Sequence, residues 1–161
     1  MKSVLKFLPL ALLILLGIVA FTQPETTKVK CMVQLVNYSG EGAYIVTSLI
    51  NPEGEYEKTL YVQGKDSEWY SDITEWWKFY GKYRLDIDAI TGETIAGGER
   101  SIILLQIPSE KIDAGYSIRF ETSVEDKAYH EKDVQFELTS ESIISKVEGN
   151  GFIRYVRMMA Q

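Results

Sequence analysis

The chain has 161 residues with 17 Lys and Arg against 23 Asp and Glu, a net charge of −6. That balance argues against nucleic acid or an anionic lipid surface as the partner, and no Lys/Arg run offsets it. With one histidine and one cysteine, His130 and Cys31, a cluster of His or Cys metal ligands or an internal disulfide has no material, and Glu131 or Asp133 beside His130 would make only a weak metal site.

Residues 1–22 read as an export signal or an uncleaved N-terminal anchor. Lys2 and Lys6 precede an apolar run from Phe7 to Phe21, a length that suits a signal core and is short for a membrane span. Membrane contact is expected only through this segment if it stays uncleaved. Its removal takes two lysines and leaves a net charge of about −8. Residues 23–27 form a short polar linker, and residues 28–161 are long enough for one domain with a real core.

Strand signals then recur at short spacing. Lys28 to Val36 alternates and places Cys31 among core positions, which reads as a buried structural thiol. Asn37-Tyr-Ser39 matches a glycosylation sequon, a weak signal. Ala43 to Ile50 is the second strand, and Asn51-Pro-Glu-Gly54 is a tight turn. Tyr56 to Gln63 is the third strand, with Tyr56, Lys58, Leu60 and Val62 on one face. Glu53, Glu55 and Glu57 are expected to face solvent.

Between Trp69 and Tyr83 the chain gathers seven aromatic residues, among them all three tryptophans. The spacing predicts a short helix near 72–80. Asp72 and Glu75 have capping-box spacing, Ile73, Trp76, Trp77 and Tyr80 share one face, and Gly81 is the expected stop. Two readings are open. In one, the helix closes an open end of a sandwich and buries Ile73, Trp76 and Tyr80. In the other, part of the set Trp69, Trp76, Trp77 and Tyr80 forms a binding surface, with Trp69 and Trp77 the best placed, because rigid aromatic rings give large contact area at small entropic cost.

Tyr83 to Ile87 is a further strand, and Asp88 to Glu93 a turn in which Gly92 can take positive φ. Asp86-Ile-Asp88 resembles a calcium loop only superficially, since Ile90 occupies the next ligand position. Arg100–Ile107, Tyr116–Val124 and Asp133–Leu138 are strands. On Tyr116–Val124, Tyr116, Ile118, Phe120 and Thr122 share a face opposite Arg119 and Glu121. Glu125 to Lys132 is a charged loop that holds His130 exposed. Ser142–Val147 and Phe152–Met158 flank a Gly149-Asn-Gly151 turn. Eight or nine short strands and one short helix predict an all-β antiparallel sandwich. No nucleophile motif, P-loop or zinc-protease motif is present, so no enzyme, catalytic residue, metal or cofactor is expected.

Several pieces occur in a particular order. They are the Asn-Pro-x-Gly turn, the strand Lys58-Thr-Leu-Tyr-Val62, Glu68-Trp-Tyr-Ser-Asp72 with Trp76-Trp77, Asp88-Ala-Ile-Thr-Gly92, Asp113-Ala-Gly-Tyr116 with Glu121, and Gly149-Asn-Gly151. Together, over about residues 31–158, they resemble a bacterial family of predicted periplasmic domains of unknown function, number 2271. The resemblance implies an exported, periplasmic Ig-like sandwich, similar to the Ig-like domain of the flagellar hook-capping protein. It also implies an accessory role in an envelope redox or iron-related system, beside membrane proteins of the PepSY type. Two alternatives stay open: a carrier of a planar ligand such as flavin or haem, and a structural envelope or flagellar-type assembly module. Basic residues usual in the family before the tryptophan pair are replaced here by Ile73-Thr-Glu75.

Overall fold

The structure is a computed structural model and describes residues 25–83 and 90–161. The export segment 1–22, most of the predicted 83–87 strand and the calcium-like Asp86-Ile-Asp88 lie outside those residues.

Among the described residues, nine strands form two sheets. β1 (Thr26–Leu35), β5 (Arg100–Pro108), β8 (Lys146–Glu148) and β9 (Ile153–Ala160) make a four-stranded sheet in the order β5-β1-β9-β8. β2 (Tyr44–Ile50), β3 (Tyr56–Gln63), β4 (Thr91–Gly92), β6 (Ser117–Ser123) and β7 (His130–Glu137) make the second, in the order β4-β3-β2-β6-β7. Every strand pair is antiparallel except β3 with the two-residue β4. The sandwich expected from the strand spacing is therefore present. Its first strand begins earlier than expected: Thr26 and Thr27, assigned to the linker, already pair with Pro108 and Ile107.

Alternation builds the core between the sheets. Val29, Cys31, Val33 and Leu35 of β1 meet Ile45, Leu49, Ile118 and Phe120 of the opposite sheet. Cys31 is fully buried there, and burial pushes its thiol up to about 12. Alkylation with iodoacetamide at pH 8 should leave the native protein unmodified and label Cys31 only on unfolding. Labelling at the rate of a free thiol would instead mean that β1 opens readily.

The aromatic segment is arranged differently from the expectation. A 3-10 turn (Ser67–Asp72) leads into helix α1 (Thr74–Tyr83). The helix lies on the outer face of the five-stranded sheet and closes no end of the sandwich. It builds a second core from Val46, Val62, Tyr70, Ile73 and Trp76. This is why β2 and β6 are buried on both faces. The helix also passes the expected stop at Gly81. A Cβ there would come within 3.2 Å of the Trp77 ring, one turn earlier, so the glycine makes room for that ring inside the helix.

Other departures have local causes. Leu60 and Val62 do not share a face. The β2–β3 register skips Leu60 and Glu57, and the bulge at Leu60 sends Leu60 to the inner core and leaves Val62 on the outer one. Gly92 does not take positive φ. It lies in β4 beside Tyr61, whose hydroxyl would be 2.4 Å from an added Cβ. Ser142–Ile144 is a 3-10 turn and not a strand start. Ser142 Oγ accepts from the Thr139 N–H at 2.8 Å, and Thr139 Oγ1 accepts from the Ser142 N–H at 3.1 Å. His130 opens β7 and is not an exposed loop residue. It pairs with Thr122, and its ring meets Phe152 edge-on at 5.1 Å.

Candidate functional site

Asp66 starts the 3-10 turn by accepting the Glu68 N–H at 3.1 Å. The turn then throws Trp69 and Tyr70 to opposite sides. Tyr70 goes inward, and its hydroxyl donates to the Gly64 carbonyl at 3.0 Å. Gly64 has φ of 120°, and an added Cβ would lie 2.3 Å from the Tyr44 ring, so glycine is required for that ring to lie against the backbone. Trp69 stays outside, at 36% exposure.

Trp69 and Tyr44 stand at a small open cleft of about 130 Å³ whose other walls carry Glu41, Asp72 and Glu125. The hydroxyl-bearing Thr94 and Ser123 complete it. None of the three acids is in an ion pair among the described residues. The cleft is therefore electronegative. Tyr44 registers this: burial first, then the charges of Asp66, Asp72, Glu125 and Glu93, push its hydroxyl pKa up. Two aromatic faces next to unpaired carboxylates suit a cation, held by charge and by the ring quadrupole.

The four aromatic residues singled out in the sequence do not act together. Trp76 is fully buried, with its indole N–H donating to Thr59 Oγ1 at 2.8 Å, so it belongs to the core and offers no surface. Tyr80 is half-buried and stacks on Trp76 with centroids 4.7 Å apart and planes 11° apart. Trp77 is half-buried against Tyr80 and Gly81. Trp69 alone opens onto the cleft. Among its acidic neighbours, Asp72 had a sequence signal, but as a helix cap. Glu41 and Glu125 sit in separate loops that only the fold brings together.

The family model described as a predicted periplasmic protein, domain of unknown function 2271, matches residues 26–155. The chain belongs to this family. Family membership places it in the periplasm. No curated protein and no solved structure matches the chain.

Two carboxylates are buried among the described residues of the matched span. Asp133 is fully committed. Its oxygens accept from Thr122 Oγ1 at 2.6 Å and from the N–H groups of Gly151 at 2.8 Å, Ile153 at 3.0 Å and Asn150 at 3.1 Å. It ties the β8–β9 turn to the second sheet, a structural task. Glu121 lies under α1 on the outer face of β6. It accepts from the Tyr56 hydroxyl at 2.7 Å and from the Tyr129 hydroxyl, and the backbone N–H of Trp76 also points at it. Tyr129 in turn accepts the Glu75 N–H at 3.3 Å, so the cluster pins the first turn of α1 to the sheet. Burial outweighs these donors and holds Glu121 up at about 7. Arg119 beside it is 5% exposed, places its guanidinium 5.1 Å from the centre of the Tyr56 ring, and bonds Gln135 at 2.7 Å. The alternating pattern of β6 marked Arg119 and Glu121 as one face. Only the helix laid across that face makes it a buried polar layer.

Proposed function

We propose that this is a non-enzymatic accessory protein of the cell envelope whose Trp69 cleft receives a basic segment of a partner protein. The observation that carries the reading is the exposed Trp69 ring beside Glu41, Asp72 and Glu125, none of which is in an ion pair among the described residues. A lysine or arginine entering there gains charge attraction from three carboxylates and a ring face from Trp69 or Tyr44. The envelope setting follows from the family, and a PepSY-type membrane protein of a redox or iron-related system is the first partner to try. The state of the reactive groups supports the absence of catalysis. The Cys31 thiol is sealed in the core, Asp133 spends its oxygens on the β8–β9 turn, and His130 packs against Phe152. A planar ligand such as flavin or haem finds less support, because Trp76 and Tyr80 already stack on each other.

The test is calorimetric titration with a hexa-arginine peptide. Binding should weaken about tenfold in Trp69→Ala and in Glu125→Gln, and should fall with added salt. Equal affinity for the wild type and both variants would remove the cleft from the reading.

A further inference from the structure

The net negative charge of the chain conceals a strong segregation. The outer face of the four-stranded sheet follows from its register. Lys28 lies beside Gln106. Lys30 sits between Leu104 and Met159. Met32 sits between Ile102 and Arg157, and Arg157 pairs with Lys146. Gln34 lies between Arg100 and Tyr155. The face therefore carries five cations: Lys28, Lys30, Arg100, Lys146 and Arg157. The one carboxylate in these rows, Glu148, is already paired with Lys146. All five cations are exposed.

Apolar side chains are set among the cations. Ile102 and Leu104 of the edge strand β5 are 63% and 42% exposed, and Met32 and Met159 are half-exposed beside them. Four large hydrophobic residues are exposed among the described residues. Two are these, and a third, Ile144, sits two residues before β8 at the other edge of the same sheet. Helix α1 and Trp69 belong to the opposite side of the sandwich.

We infer that this face is a docking surface for an anionic phospholipid membrane. Charge complementarity is the first ground, since each cation near an anionic bilayer gains attraction from its surface potential. The second is the mixture itself: aliphatic side chains between cations match the boundary between headgroups and acyl chains. The third is position. β1, a central strand of this sheet, begins only five residues after Phe21, the end of the apolar run. Those residues reach at most about 17 Å, so a segment held in the membrane keeps the face close to it. Docked this way, the protein points the Trp69 cleft away from the lipid.

The inference is independent of the cleft and is tested on the full chain, with a reporter that the N-terminal segment does not mimic. Because Cys31 is buried, an environment-sensitive fluorophore can be attached at Gln106→Cys on the face and, separately, at Ser71→Cys on the opposite side. With phosphatidylglycerol vesicles, the Gln106 reporter should shift to the blue and be quenched by spin-labelled lipid, and the Ser71 reporter should do neither. Salt should reverse the shift, and Lys30→Glu with Arg157→Glu should weaken it about tenfold or more. No shift at Gln106, or the same shift with phosphatidylcholine vesicles, overturns the inference. So does a shift without vesicles that grows with protein concentration, since that would make the face a contact between copies of this chain through β5.

Discussion

Trp76→Ala should destabilise the protein by about 3–5 kcal/mol, the range for removing a large aromatic side chain from a packed interior. For a domain of this size that lowers Tm by roughly 10–20 °C. The ring is fully buried and makes three kinds of contact at once: the stack on Tyr80, an edge contact with Tyr70 at 5.3 Å, and the bond to Thr59. Its loss leaves Thr59 Oγ1 buried without that donor and opens a cavity that Val46 and Val62, fixed in strands, cannot close. Trp76→Phe should fall between, keeping an aromatic ring and losing the hydrogen bond. Trp69→Ala should cost well under about 1 kcal/mol, because its ring is partly in solvent. Urea unfolding followed by circular dichroism separates the three. If Trp76→Ala and Trp69→Ala were equally mild, α1 would not be part of the cooperative fold.

The contrast between these two tryptophans shows where the sequence was legible. Period-two alternation located β1, β2, β3, β5 and β6 to within a few residues, because each strand buries at least one face in the inner core. Helical spacing located α1, and the prediction that Trp76 turns inward follows from Ile73, Trp76 and Tyr80 sharing a face. It could not say which surface the helix covers. That depends on the bulge at Leu60, which leaves Val62 facing outward to meet it, and a bulge leaves no mark in composition. The cleft was illegible for a similar reason: Glu41, Asp72 and Glu125 come from three connections that sequence spacing does not relate. Net charge was silent on distribution. A total of −6 gives no sign that Lys28, Lys30, Arg100, Lys146 and Arg157 share one face, which antiparallel pairing alone brings about. Charge acts over about 8 Å at physiological salt, so the face and not the total decides what it attracts.

Glu121 gives the fold a pH dependence whose sign is fixed by burial. Its carboxyl is held up at about 7, against an ordinary value of 4.5 in the open chain. Between those values the folded protein holds a proton that the unfolded chain has released. The stabilisation is complete below about pH 4.5 and is lost as pH rises through about 7. The gap corresponds to roughly 3 kcal/mol at about 1.4 kcal/mol per tenfold. The groups facing Glu121 are Tyr56 from β3, Tyr129 from the β6–β7 connection, the backbone N–H of Trp76 from α1, and Arg119 from its own strand. All four favour the charged form and are outweighed by the loss of water. Urea unfolding should therefore show the wild type less stable at pH 8 than at pH 5, and Glu121→Gln, neutral throughout, should lack that component and gain on the wild type at pH 8. Amide exchange in the first turn of α1 should quicken over the same range, because Tyr129 links Glu121 to the Glu75 N–H. Parallel stability curves for the two proteins would mean that Arg119 and the two tyrosines keep Glu121 ionised, and that the layer beneath α1 is a fixed ion pair with no response to pH.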